Sequence, residues 1–175
     1  MKIQIRGMTM AKSENRMSWL LLTIISLAFL CMTSAQAADG VAVPTSAKQA
    51  YVTDFATGQV LLEKNARTPM KPASMAKIMT IYIAFSRVSE RSLSLEDRFL
   101  VSEKAWKMGG SRSFLDVGSS VTLDELLHGI IIQSGNDAAV ALAEGISGTE
   151  ANFVAEMNIT AQKLGMTNTV FANAT

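Results

Sequence analysis

The chain has 175 residues, 16 basic and 15 acidic side chains for a net charge of +1, and one cysteine, Cys31. That length suggests one domain or part of one. No basic block exceeds a pair, which speaks against a nucleic-acid partner, and a single cysteine excludes a disulfide framework, so stability must come from an ordinary apolar core.

Residues 1–37 read as a secretory signal. Lys2, Arg6, Lys12 and Arg16 precede an uncharged apolar run over residues 17–32, and the small-residue site Ala35-Gln36-Ala37 follows. A run of about 16 residues falls short of the roughly 20 that a spanning helix needs, so a cleaved leader is favoured over an anchor. Cys31 follows the bulky pair Phe29-Leu30, which argues against a lipid-attachment site. Cleavage before Ala38 leaves residues 38–175 as the mature domain, with 12 basic against 14 acidic side chains.

Residues 41–48 form a polar lead. Ala50-Tyr51-Val52-Thr53-Asp54 and Gln59-Val60-Leu61-Leu62-Glu63 read as strands around a turn at Phe55-Ala56-Thr57-Gly58. Two strands alone are marginal in water, and no later segment reads as a further central strand. Residues 65–71 connect the hairpin to a helix.

That helix opens with Lys71-Pro72-Ala73-Ser74-Met75-Ala76-Lys77. Pro72 suits a first-turn position and sets Ser74 near the positive end of the helix dipole. Residues three apart share a helix face, so the Ser74 hydroxyl and the Lys77 amine can meet. Met75, Ala76, Ile78, Met79, Ile81, Tyr82, Ile83, Ala84 and Phe85 are apolar nearly all round, the pattern of a helix sunk in a core. Burial lowers a lysine pKa and makes the amine a base near neutral pH, with Ser74 as its nucleophile. The competing reading has Ser74 merely starting a helix and Lys77 extending its amine to water.

Residues 86–97 hold Arg87, Glu90, Arg91, Glu96 and Asp97 among serines, a solvated helix end and loop. Residues 101–108 suggest a short helix capped by Ser102, and Gly109-Gly110-Ser111-Arg112-Ser113 a loop able to approach a ligand. Thr122 and Glu125 form a capping box before the stripe Leu123, Leu126, Leu127, Ile130 and Ile131. His128 faces away from most of that stripe and reads as a surface residue. Gln133-Ser134-Gly135-Asn136-Asp137 is a polar tip, after which residues 138–143 resume as a buried helix. Residues 150–164 form an amphipathic helix with Phe153, Val154, Met157, Ala161 and Leu164 inward, ended by Gly165. Residues 166–175 begin an extended segment.

Ser74-x-x-Lys77 followed 60 residues later by Ser134-Gly135-Asn136 supplies two of the three elements of penicillin-binding proteins and class A β-lactamases. With Pro72-Ala73-Ser74-Met75-Ala76-Lys77, Gly110-Ser111, Asp124-Glu125-Leu126-Leu127, Gln133-Ser134-Gly135-Asn136-Asp137-Ala138, Phe153, Met157-Asn158 and Leu164-Gly165-Met166, the chain from about Lys48 onward closely resembles the serine D-alanyl-D-alanine carboxypeptidases, the low-molecular-mass penicillin-binding proteins. The resemblance implies an α+β, β-lactamase-like transpeptidase fold, a helical cluster beside an antiparallel sheet with the site between them. It implies Ser74 as nucleophile, Lys77 as base, Ser134 as proton relay and Asn136 as a substrate-binding residue. The substrate would be a peptidoglycan stem peptide ending in D-Ala-D-Ala, β-lactam antibiotics would acylate the same serine, and no metal or organic cofactor is implied. The location would be the periplasm or cell envelope.

The third element, Lys-Thr/Ser-Gly, is absent from the sequence. With the shortage of strands, this leads us to expect the front part of a longer protein, whose C-terminal membrane anchor would also be missing, and an isolated 38–175 segment that folds poorly and turns over slowly or not at all. Gly135, where class A β-lactamases have Asp, favours the carboxypeptidase. The alternatives are a related β-lactamase or endopeptidase, and a non-catalytic exported fragment.

Overall fold

The computed structural model describes residues 44–175; the expected leader, residues 1–37, and with it Cys31, lies outside the described residues. The chain divides into two units after Pro69. In the first, β1 (Ala50–Thr53) and β2 (Val60–Lys64) pair antiparallel, Ala50 opposite Lys64 and Val52 opposite Leu62. The Asp54 carboxylate closes the turn by accepting from the Thr57 backbone N–H and hydroxyl, both at 2.7 Å. Gly58 takes the left-handed position there at φ +71°. These hydrogen bonds favour the ionised carboxylate and hold the Asp54 pKa below its ordinary value. The hairpin has little core of its own, since Tyr51, Val52, Val60 and Leu61 all stay exposed.

The second unit begins with a 3₁₀ turn, Ala73–Ala76, running into α1 (Lys77–Ser89). Then come β3 (Arg98–Leu100), α2 (Glu103–Trp106), β4 (Ser120–Thr122), α3 (Leu123–Gln133), α4 (Asn136–Ser147) and α5 (Glu150–Lys163). β3 and β4 form an antiparallel ribbon, Phe99 opposite Val121. These are short ribbon strands and not further central strands of a larger sheet, as the sequence led us to expect. Each of these strands is three residues long, too short for alternation to declare itself. Phe99 is the buried anchor of β3, and its ring lies where a Cβ on Gly145 of α4 would be.

The core is built around α4. Ala138, Ala139, Val140, Ala141, Leu142 and Ala143 have no exposed surface, and α2, α3, α5 and β3 pack on them. Small side chains all round let neighbours approach on every side. Leu123, Leu126, Leu127 and Ile130 of α3, and Phe153, Met157 and Ala161 of α5, supply the larger volumes. The expected capping box is present: Glu125 N–H donates to Thr122 Oγ1 at 3.2 Å and Thr122 N–H donates to Glu125 Oε2 at 2.9 Å. Ser102 caps α2 by accepting from the Ala105 N–H, and its hydroxyl donates to Glu144 of α4 at 2.6 Å.

Three expectations change. α1 is not buried all round: Lys77, Met79, Thr80, Ile83 and Ala84 face the core, while Ile78, Tyr82 and Phe85 are 45–67% exposed, and in the preceding turn Ala76 is buried but Met75 is exposed. A helix packed against one cluster buries one stripe, whatever the polarity of the other. Leu164 is 48% exposed because the helix ends at Lys163, although Gly165 terminates it as expected at φ +76°. Residues 166–175, read as the start of an extended segment, hold turns and bends instead. Asn158 pairs with both backbone groups of Phe171, at 2.8 and 2.9 Å, and the Ala174 carbonyl accepts from Thr80 at 2.8 Å. Phe171 and Ala174 thereby join the core. Among the described residues the strands form two separate two-stranded ribbons rather than one larger sheet, and no helix is long and apolar enough to cross a membrane.

Candidate active site

Pro72 precedes the 3₁₀ turn instead of sitting inside it, and Ala73 takes φ +49°. A left-handed alanine costs about 1–2 kcal/mol, and such strain gathers where a chain must aim a side chain. The residue aimed is Ser74, exposed in the turn, with its N–H among the first-turn donors that lack an intrahelical carbonyl.

Lys77 opens α1 and is 3% exposed. Its Nζ donates to Asn136 Oδ1 at 2.6 Å and to the hydroxyls of Ser74 and Ser134, both at 3.2 Å. The amine therefore points at the other three expected site residues and not at water. Burial pushes its pKa below the ordinary lysine value. No carboxylate lies within ion-pair distance of it among the described residues, so nothing charged offsets that desolvation.

Ser134 and Asn136 reach the amine because of how α3 ends. Ser134 is the C-cap in the left-handed conformation, φ 54° and ψ 37°, and Gly135 is the N-cap of α4. One reversed residue breaks the helix and turns both polar side chains to the same point. Gly135 is buried, and a Cβ on it would overlap the Ser113 hydroxyl. Packing thus supplies a reason for glycine in the middle of the triplet.

The direction of the Asn136 amide is fixed by its partners. The Gly109 carbonyl only accepts, so it takes Nδ2 at 2.7 Å, which leaves the Asn136 oxygen for the Lys77 amine. The Asn136 backbone N–H donates to the Ser111 carbonyl at 2.8 Å. Gly110, at φ +75°, has room for no side chain there, since a Cβ would lie 2.9 Å from Asn136 Nδ2. What the glycine loop approaches is therefore Asn136. The sequence carried a signal in the Gly109-Gly110 pair, but nothing local said which residue it would meet. His128 is remote from this chemistry, exposed on α3, its ring nitrogen 2.9 Å from the Asp124 carbonyl. Among the described residues no group of three His, Cys, Asp or Glu side chains is placed to hold a metal ion.

A hydroxyl, a buried amine, a second hydroxyl and an oriented amide thus converge within one turn of helix and one interhelix kink. That is a set of groups for acyl transfer. Residues 33–175 match the peptidase S11 family, D-alanyl-D-alanine carboxypeptidase. The chain belongs to this family. The D-alanyl-D-alanine carboxypeptidase DacF of Bacillus subtilis is 46% identical over 129 residues, covering 74% of this chain and 33% of the relative. DacC of Escherichia coli is 40% identical over 151 residues, 82% of this chain and 38% of the relative. Among solved structures, DacD from Francisella tularensis superposes with a TM-score of 0.74 at 39% identity, covering 77% of this chain and 33% of that one. Penicillin-binding protein 5 from Haemophilus influenzae superposes with a TM-score of 0.72 at 36% identity, covering 77% and 40%. The α+β fold of these low-molecular-mass penicillin-binding proteins is thus the fold of this chain over the part it spans. The chain spans 33–38% of the length of the curated relatives named here.

Proposed function

We propose that this chain carries the acylating centre of a serine-type D-alanyl-D-alanine carboxypeptidase, with Ser74, Lys77 and Ser134 as catalytic residues and Asn136 binding substrate. The observation that carries this reading is the buried Lys77 amine 3.2 Å from the Ser74 hydroxyl. Ser74 Oγ attacks the carbonyl carbon between the two terminal D-alanines of a stem peptide, and its proton passes to neutral Lys77. The oxyanion that forms takes the N–H of Ser74, an interaction typically worth about 10² to 10³ in rate. The C–N bond then breaks, and the proton held by Lys77 returns through the Ser134 hydroxyl to the leaving amine. Water hydrolyses the ester, releasing the shortened stem and restoring Ser74. A β-lactam would acylate the same oxygen and hold it longer.

Such a protein works in the cell envelope, outside the cytoplasmic membrane, and association with that membrane belongs to the same proposal. Incubation with a fluorescent penicillin, alongside an assay of D-alanine release, tests the reading. Wild-type chain is expected to label and Ser74→Ala not to. Equal labelling of both proteins would refute the assignment of the nucleophile, and absence of labelling in wild type would favour a non-catalytic binding protein.

A further inference from the structure

Asp137 follows Asn136 in the first turn of α4 and has no exposed surface, yet the chemistry above does not use it. Its Oδ1 accepts the backbone N–H groups of Ser113 at 2.8 Å and Ala138 at 2.9 Å, and its Oδ2 accepts that of Leu115 at 3.2 Å. The charged group facing it is Arg112, whose buried Nε lies 3.9 Å from Oδ2 without a hydrogen-bond partner. The rest of that guanidinium is engaged elsewhere, donating to the Trp106 carbonyl at 2.7 Å and lying 5.7 Å from the centre of the Phe114 ring. One buried carboxylate thus ties the loop of residues 112–115 to the start of α4. The same loop, a few residues earlier, presents the Gly109 and Ser111 carbonyls to Asn136.

We propose that Asp137 is a positioning residue for the proposed reaction: its buried carboxylate holds the 109–115 loop so that Asn136 presents its oxygen, and not its nitrogen, to Lys77. This inference rests on the function proposed above. With the loop in place, Nδ2 has an acceptor in Gly109 and Oδ1 is left for the amine. With the loop displaced, the amide has no reason to prefer that orientation, and a flipped amide would set a donor against Lys77 in competition with the Ser74 hydroxyl. Asparagine in place of Asp137 keeps the shape but turns one acceptor into a donor facing the Leu115 N–H and Arg112, so the clasp opens without a cavity.

The test is an NMR titration of the Lys77 side chain in the whole chain, for wild type, Asp137→Asn and Gly110→Ala. The second variant sets a methyl group against Asn136 Nδ2 and leaves the carboxylate intact. The Asn136 oxygen supports the ammonium form, so losing it should lower the Lys77 midpoint, by about half a pH unit or more, in both variants. Acylation of Ser74 by a fluorescent penicillin should slow by about tenfold to a hundredfold, with its acid limb displaced to lower pH. A merely structural Asp137 would reduce the amount of active protein and leave the midpoint where it was. An unchanged midpoint in either variant that keeps its helical circular dichroism overturns the proposal. If Asp137→Asn does not fold, an unchanged midpoint in Gly110→Ala still overturns the proposal, since the loop would then not set the amide. If wild-type chain is not acylated, the proposed function fails, and the Lys77 midpoints still decide the role of Asp137.

Discussion

Lys77 sits among two hydroxyls and an amide oxygen, a neighbourhood that hydrogen-bonds an ammonium without neutralising it. Desolvation lowers its pKa from the ordinary value of 10.5. The fraction of neutral amine, and with it acylation of Ser74, should rise with pH to a plateau whose midpoint lies below 10.5. The sign for stability follows from the same shift. Between the lowered folded value and 10.5 the unfolded chain binds more protons, so Lys77 destabilises the fold most at low pH and ceases to do so as pH rises through 10.5. A stopped-flow pH profile with penicillin checks the first point, and a midpoint no lower than that of an ordinary lysine would contradict it. Lys77→Ala should slow acylation by about 10² to 10⁴, the usual range for loss of a general base. Asn136→Asp would place a carboxylate 2.6 Å from the amine and a second acceptor against the Gly109 carbonyl. Its acylation profile should move to higher pH than wild type, read in the same experiment.

At the scale of elements, the kink between α3 and α4 brings the pieces together, and it tolerates little change. Gly135→Ala should cost about 1–3 kcal/mol, the range for overpacking, because its methyl group overlaps Ser113. Loss of the Thr122 cap in Thr122→Ala should cost about 1 kcal/mol and leave the site untouched, a contrast that chemical denaturation of the two variants will show. Most of this level was legible in the sequence. Thr122 and Glu125 announced the start of α3, the apolar stripe its buried face except at Ile131, which is 56% exposed, Gly165 the end of α5, and the Ser74-x-x-Lys77 spacing a shared face. What was not legible depends on partners far away in the chain. Phe99 is buried because Gly145 makes room for it, Asn158 clasps Phe171 thirteen residues on, and the Gly109 carbonyl fixes the Asn136 amide. The outer face of α1 misled for the opposite reason: its side chains are as apolar as the inner ones, and polarity was the only guide.

For the molecule as a whole, the two units should differ in local stability. The second has a core in which residues 137–143 of α4 are fully enclosed, whereas β1 and β2 leave most of their apolar side chains exposed. Amide exchange should therefore be slow in residues 138–143 and fast in residues 50–64, and equal protection would show the hairpin to be better supported than its burial suggests. In the proposed reaction the acylated oxygen is that of Ser74. Peptide mapping by mass spectrometry after exposure to benzylpenicillin tests that most directly. The predicted result is one penicilloyl group on the peptide bearing Ser74, lost in Ser74→Ala; an adduct on any other residue, or one that survives that substitution, would contradict it.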